Sequence, residues 1–82
     1  MNYDRFKSLD DFKNAIEMGL DIEFFINNVR YNISWRDYKP LICTCPDGEA
    51  VFFKDADSLL NEYEIDGKKI KELWAIIEIY SM

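Results

Sequence analysis

The sequence predicts an α+β fold: an N-terminal helix, a four-stranded antiparallel meander made of two hairpins, and two C-terminal helices, packed as a two-layer sandwich. Three observations carry this. Residues Asp21 to Trp35 alternate apolar and polar side chains on both sides of Asn27-Asn28. A second alternating stretch, Leu41 to Phe53, is interrupted by Pro46-Asp47-Gly48. The flanking segments instead space their apolar residues by three and four, the period of a helix.

Taking the elements in order, Ser8 followed by Leu9-Asp10-Asp11 is an N-cap with two acids in the first turn, where the helix dipole favours negative charge. Helix 1 is expected over Leu9 to Met18, with Leu9, Phe12, Ile16 and Leu20 on its packed side and Gly19 as its stop. Asn27-Asn28 suits a two-residue type I′ turn, because both central positions need positive φ and Asn tolerates it. That turn sets Ile26 opposite Val29, Phe24 opposite Tyr31, Ile22 opposite Ile33 and Leu20 opposite Trp35, so all eight face the core. Asp21, Glu23, Arg30, Asn32 and Ser34 take the other face, together with one apolar exception, Phe25.

Arg36 to Pro40 reads as a connection. In the second hairpin Pro46 and Asp47 fit the central turn positions and Gly48 a left-handed bulge. Leu41 then opposes Phe53 and Cys43 opposes Val51 on the core face, while Ile42 and Phe52 share the outer face with Phe25. From Asp55 helical spacing returns, with Asp55 or Asp57 as N-cap and Ala56, Leu59, Leu60 and Tyr63 on one side. Glu64-Ile65-Asp66-Gly67 interrupts it. Asp66 can cap a third helix carrying Ile70, Leu73, Trp74 and Ile77. That helix is expected to run to about Ile77, and the β-branched tail Ile76 to Tyr80 fits a last short strand as well.

At 82 residues the chain makes one domain, residues 1–82, and its 49% hydrophobic content is too high for disorder. Ten basic against sixteen acidic residues give a net charge of −6, which repels phosphate backbones and anionic lipid and favours a protein partner with a basic surface. No apolar run is long enough for a membrane span and no charged start precedes one, so a cytoplasmic location is expected. The absence of histidine removes the usual general base and the commonest metal ligand together. Cys43 and Cys45 are the only cysteines; they read as reduced core thiols, since tetrahedral zinc needs four ligands and the chain offers two soft ones. No cofactor, metal or enzymatic activity is therefore expected.

Two sets of residues are candidates for partner contact. Phe25, Ile42 and Phe52 form a proposed apolar patch on the outer sheet face, open to a partner or a second copy, or else covered by Tyr80, Met82 or the segment Tyr3 to Phe6. Asp55, Asp57, Glu62, Glu64 and Asp66 form an acidic run with no basic residue inside it; capping with a solvated helix face is the favoured account of such a run, and a contact surface for a basic partner is the alternative. Its spacing does not match a calcium loop. Lys68, Lys69 and Lys71 balance neighbouring acids, and Gly67 alone does not make a phosphate loop.

Leu9-Asp10-Asp11-Phe12, the alternating hairpin, and the run from Leu59 through Ile65-Asp66-Gly67-Lys68-Lys69-Ile70 to Trp74 resemble small uncharacterised acidic proteins of low-GC Gram-positive bacteria and their phages. That resemblance implies an inhibitor of host defence, of the anti-CRISPR or anti-restriction type, that binds a nucleic-acid-processing enzyme. The expected function is thus a non-enzymatic protein-binding module that uses acidic and aromatic surface. The alternative is a self-associating protein that dimerises through its sheet face.

Overall fold

Residues 4–45 and 48–82 are described by the computed structural model. The expected Pro46-Asp47 turn, and Tyr3 as a cover for the sheet, lie outside the described residues. Helix α1 spans Leu9–Glu17. Ser8 is extended and its Oγ accepts the Asp11 N–H at 3.0 Å, while the Asp11 carboxylate accepts the Lys7 N–H at 3.0 Å, so two otherwise unpaired donors at the helix start are satisfied reciprocally. Gly19, at φ 78, ends the helix as expected. Phe12, Ala15 and Ile16 are its buried residues.

Strands β1 (Ile22–Ile26) and β2 (Val29–Arg36) pair in the expected register: Ile22 with Ile33, Phe24 with Tyr31 and Ile26 with Val29. Asn27 and Asn28 have φ 51 and 67, as a type I′ turn requires. The first correction follows at Arg36–Pro40, which is a second two-residue turn rather than a loose connection. Asp37 and Tyr38 have φ 54 and 65, and β3 (Lys39–Thr44) folds straight back so that Arg36 opposes Lys39 and Ile33 opposes Ile42.

This register places Ile42 on the core face, fully buried, and moves Cys43 to the outer face opposite Asn32. Strand β4 (Val51–Phe52) pairs Leu41 with Phe52 and Ile42 with Val51, one residue away from the expected pairing of Leu41 with Phe53. A one-residue slip exchanges the two faces of a strand. The observed register buries Ile42 in the core and still leaves Leu41 buried between Ser34 and Phe52 on the other face, so both large side chains leave water.

Helix α2 (Ala56–Glu62) begins at Asp55, whose carboxylate accepts the Ser58 N–H at 2.8 Å. It buries Ala56, Ser58, Leu59 and Leu60. The Ser58 hydrogen bond holds the Asp55 carboxyl below its ordinary value of 3.8. A lowered folded value means that the stabilisation is full above the unfolded value and is lost as pH falls through the folded one. Asp55→Asn keeps a capping oxygen but removes the titration. Thermal melts from pH 7 to pH 2 should show a smaller acid-induced drop in Tm for Asp55→Asn than for the wild type.

The third helix is the second correction. Asp66 and Gly67, at φ 54 and 81, form a tight turn between β5 (Glu64–Ile65) and β6 (Lys68–Lys69), and two 3₁₀ turns follow at Ile70–Glu72 and Trp74–Ile76. An Asp-Gly pair between short strands favours a hairpin turn over a helix start. The apolar positions nevertheless do their expected work: Ile70, Leu73 and Ile77 are buried, because a spacing of three also fits a 3₁₀ turn. The β-branched tail becomes strand β7 (Glu78–Ser81), which pairs antiparallel with β1 and receives a bridge from Asp4 through the Ile79 N–H.

The result is a five-stranded antiparallel sheet of order β4-β3-β2-β1-β7, with two helices and the 3₁₀ segment on one face. Phe6, Phe12, Phe24 and Tyr31 form a continuous aromatic row in the core, with ring centroids 4.8, 6.2 and 5.6 Å apart in that order. The other face shows cross-strand rows of Glu78, Phe25 and Arg30, then Ser81, Glu23, Asn32 and Cys43, then Ser34, Leu41 and Phe52.

Candidate functional site

The proposed apolar patch does not exist as a group. Ile42 lies in the core, on the face opposite to Phe25 and Phe52. Phe25 is half-buried and packs edge-on against Tyr80 at 5.7 Å, the covering residue anticipated as one of the alternatives. Arg30, opposite Phe25, lies 5.1 Å from the Tyr80 ring and donates to Glu23 at 2.9 Å. Phe52 remains 45% exposed at the other side of the sheet.

The acidic run is largely engaged within the fold. Asp55 caps α2, Asp57 pairs with Lys13 at 2.9 Å, and Glu64 pairs with Lys69 at 2.8 Å across the small hairpin. Each partner lysine is held above its ordinary value by hydrogen bonding to its carboxylate. Asp66 sits in the turn, where left-handed backbone is needed. Only Glu62 joins a member of the apolar set: Glu62 and Phe52 line one shallow groove with Phe53, Lys54 and Ser58, of about 380 Å³.

A second concavity, of about 330 Å³, was not anticipated. It lies where the end of α1 meets the β2–β3 turn and is lined by Glu17, Met18, Gly19, Trp35, Arg36, Asp37 and Tyr38. Its geometry follows from three local causes. Gly19 stops α1 and turns the chain away, leaving Met18 73% exposed. Trp35, at the end of the core face of β2, is held by its indole N–H, which donates to the Ile16 carbonyl at 2.8 Å. Tyr38, on the turn, is 97% exposed although it adopts a left-handed backbone that disfavours a bulky side chain.

Tyr38 could have been found in the sequence by extending the alternation of β2 through Arg36 and treating Asp37-Tyr38 as a turn like Asn27-Asn28. Tyr, Trp, Met and Arg are the residue types enriched at protein–protein contacts, and here one of each surrounds a single depression. Glu17, Arg36 and Asp37 supply polar groups at its margin.

The cysteines are also placed differently from expectation. Both are free and half-buried, and Cys43 lies on the outer sheet face rather than in the core. Burial, with the neighbouring Cys45, raises the Cys43 thiol above its ordinary range, so it lacks the depressed value of an activated nucleophile. Among the described residues no group of three or more His, Cys, Asp or Glu side chains gathers around a common point, and no helix is long and apolar enough to cross a membrane. Comparisons of the chain with protein-family models, with curated proteins and with solved structures found no match.

Proposed function

We propose that this protein is a non-enzymatic binding module that docks another protein through the depression formed by Met18, Trp35 and Tyr38. The observation that carries the reading is Tyr38: a large aromatic side chain, 97% exposed, kept on a backbone conformation that glycine would adopt more cheaply. Backbone strain of this kind, with no burial in return, is where function is sought. The net charge of −6 favours a partner with a basic surface. An inhibitor that occupies a nucleic-acid-processing enzyme of a host, in the manner of anti-CRISPR and anti-restriction proteins, is the specific form of this reading; it draws on the sequence resemblance and on the charge.

Tyr38→Gly separates this reading from a structural role. The variant should be more stable by about 1 kcal/mol in urea denaturation, because the left-handed strain is relieved and no buried surface is lost. Affinity purification from a bacterial host should recover a partner with the wild type and lose it with the variant, and the wild-type complex should weaken steeply as salt is raised. A less stable variant, or one that keeps the partner, would overturn the reading.

A further inference from the structure

We propose that Cys43 and Cys45 form a two-coordinate thiolate site for a soft monovalent ion of the Cu(I) class on the open face of the sheet. The backbone holds the two thiols in place. Cys43 is within β3 opposite Asn32, and the Cys45 N–H donates to the Arg30 carbonyl at 2.9 Å, which carries the same pairing one step beyond the strand. Alternate residues of a strand project to one face, so both sulfurs lie on the outer face beside Asn32 and Arg30.

Alternate Cα atoms of a strand are about 6.6 Å apart. That is the wide end of what a disulfide spans, and the two Cα–Cβ bonds run parallel rather than converging. A sulfur–metal–sulfur bridge is longer than a sulfur–sulfur bond and suits this spacing better. The side chains already interact with each other, since Cys45 contributes to the electrostatic surroundings of Cys43.

Ligand chemistry selects the ion. Among the described residues no third His, Cys, Asp or Glu joins the two thiolates, so they do not complete the four-coordinate shell of zinc, whereas soft, closed-shell Cu(I) is served by thiolates. Loading replaces two S–H bonds by two S–Cu bonds and releases two protons, with no change in oxidation state. The bound unit carries one negative charge on half-buried sulfurs; the Arg30 guanidinium is itself engaged by Glu23 at 2.9 Å and by the Tyr80 ring. The carboxylates on this face are themselves occupied: Glu23 accepts from Arg30 at 2.9 Å and Asp21 accepts from the Asn32 amide at 2.5 Å. Coordination deprotonates both thiols outright, so protons compete with the ion and binding weakens as pH falls.

The test uses the full chain, reduced and free of oxygen, titrated with Cu(I) against a coloured Cu(I) chelator and separately with Ag(I) as a redox-inert probe. One ion per monomer should be drawn from the chelator, with thiolate-to-metal absorption in the ultraviolet and the matching mass increment in native mass spectrometry. Cys43→Ser and Cys45→Ser should each lose stoichiometric binding while keeping the wild-type circular dichroism. Alanine at the same positions provides a second pair of variants should serine disturb the strand. Undiminished binding by any single variant, one ion shared by two chains, or equal retention of Zn(II) would overturn the proposal.

Discussion

Phe12→Ala is expected to remove a large share of the stability of the fold at 25 °C. Phe12 is fully buried on α1, 4.8 Å from the Phe6 ring and 6.2 Å from that of Phe24, so it joins the helix and N-terminal segment to the sheet. Truncating a buried phenylalanine costs about 3–5 kcal/mol, from lost transfer energy and from the cavity left behind. A domain of this size has roughly 4–12 kcal/mol in total. Urea titration followed by circular dichroism should show a midpoint moved far toward zero, and a shift below about 1 kcal/mol would mean that the aromatic row is not the centre of the core.

Ile42→Ala should destabilise by about 2–5 kcal/mol, whereas Cys43→Ala should change stability by less than about 1 kcal/mol. The contrast tests the register directly. Alternation read without the Asp37-Tyr38 turn puts Cys43 in the core and Ile42 outside; the observed pairing of Ile33 with Ile42 puts them the other way round. Because adjacent residues of a strand differ only in face, the two substitutions sample the same backbone in opposite environments. Equal effects, or a larger effect at Cys43, would contradict the pairing.

The first hairpin was legible because everything that sets it is local. Asn27-Asn28 accepts positive φ, and the alternation on either side leaves a single register that buries Ile22, Phe24, Ile26, Tyr31 and Ile33, while Val29, beside the turn, stays exposed against expectation. The caps of α1 and α2 were legible for the same reason: Ser8 and Asp55 bond to N–H groups three residues on. Asp37-Tyr38 was missed because tyrosine carries no turn preference of its own. The turn forms since it lets β3 bury Ile42 beside Ile33, a gain made across the sheet rather than within the turn.

The C-terminal third failed differently. Ile70, Leu73 and Ile77 recur at a spacing that α and 3₁₀ turns share over so short a run, and the pattern alone does not choose between them. The Asp66-Gly67 turn decides how the segment starts, and the pairing of β7 with β1, where Phe24 opposes Ile79, decides how it ends. The same decision brings Tyr80 over Phe25. An apolar exception in the alternation thus became one half of an aromatic contact instead of part of a patch with Ile42 and Phe52.

The candidate site shows the same division. Met18, Trp35 and Tyr38 are separated along the chain and come together only because Gly19 ends α1 beside the β2–β3 turn. The acidic run was visible as composition, but its carboxylates are mostly committed to Lys13, Lys69 and the start of α2, partners that folding supplies. Taken alone, the sequence determined the α+β class, the first helix, the first hairpin and the identity of most core residues, because caps, tight turns and periodicity act over a few residues. Only the tertiary structure decided the face of β3 and its register with β4, the fate of the tail and the place of Tyr38. Those depend on which distant strand completes a hydrogen-bond ladder and buries the large side chains, and that choice is made between segments, not within them.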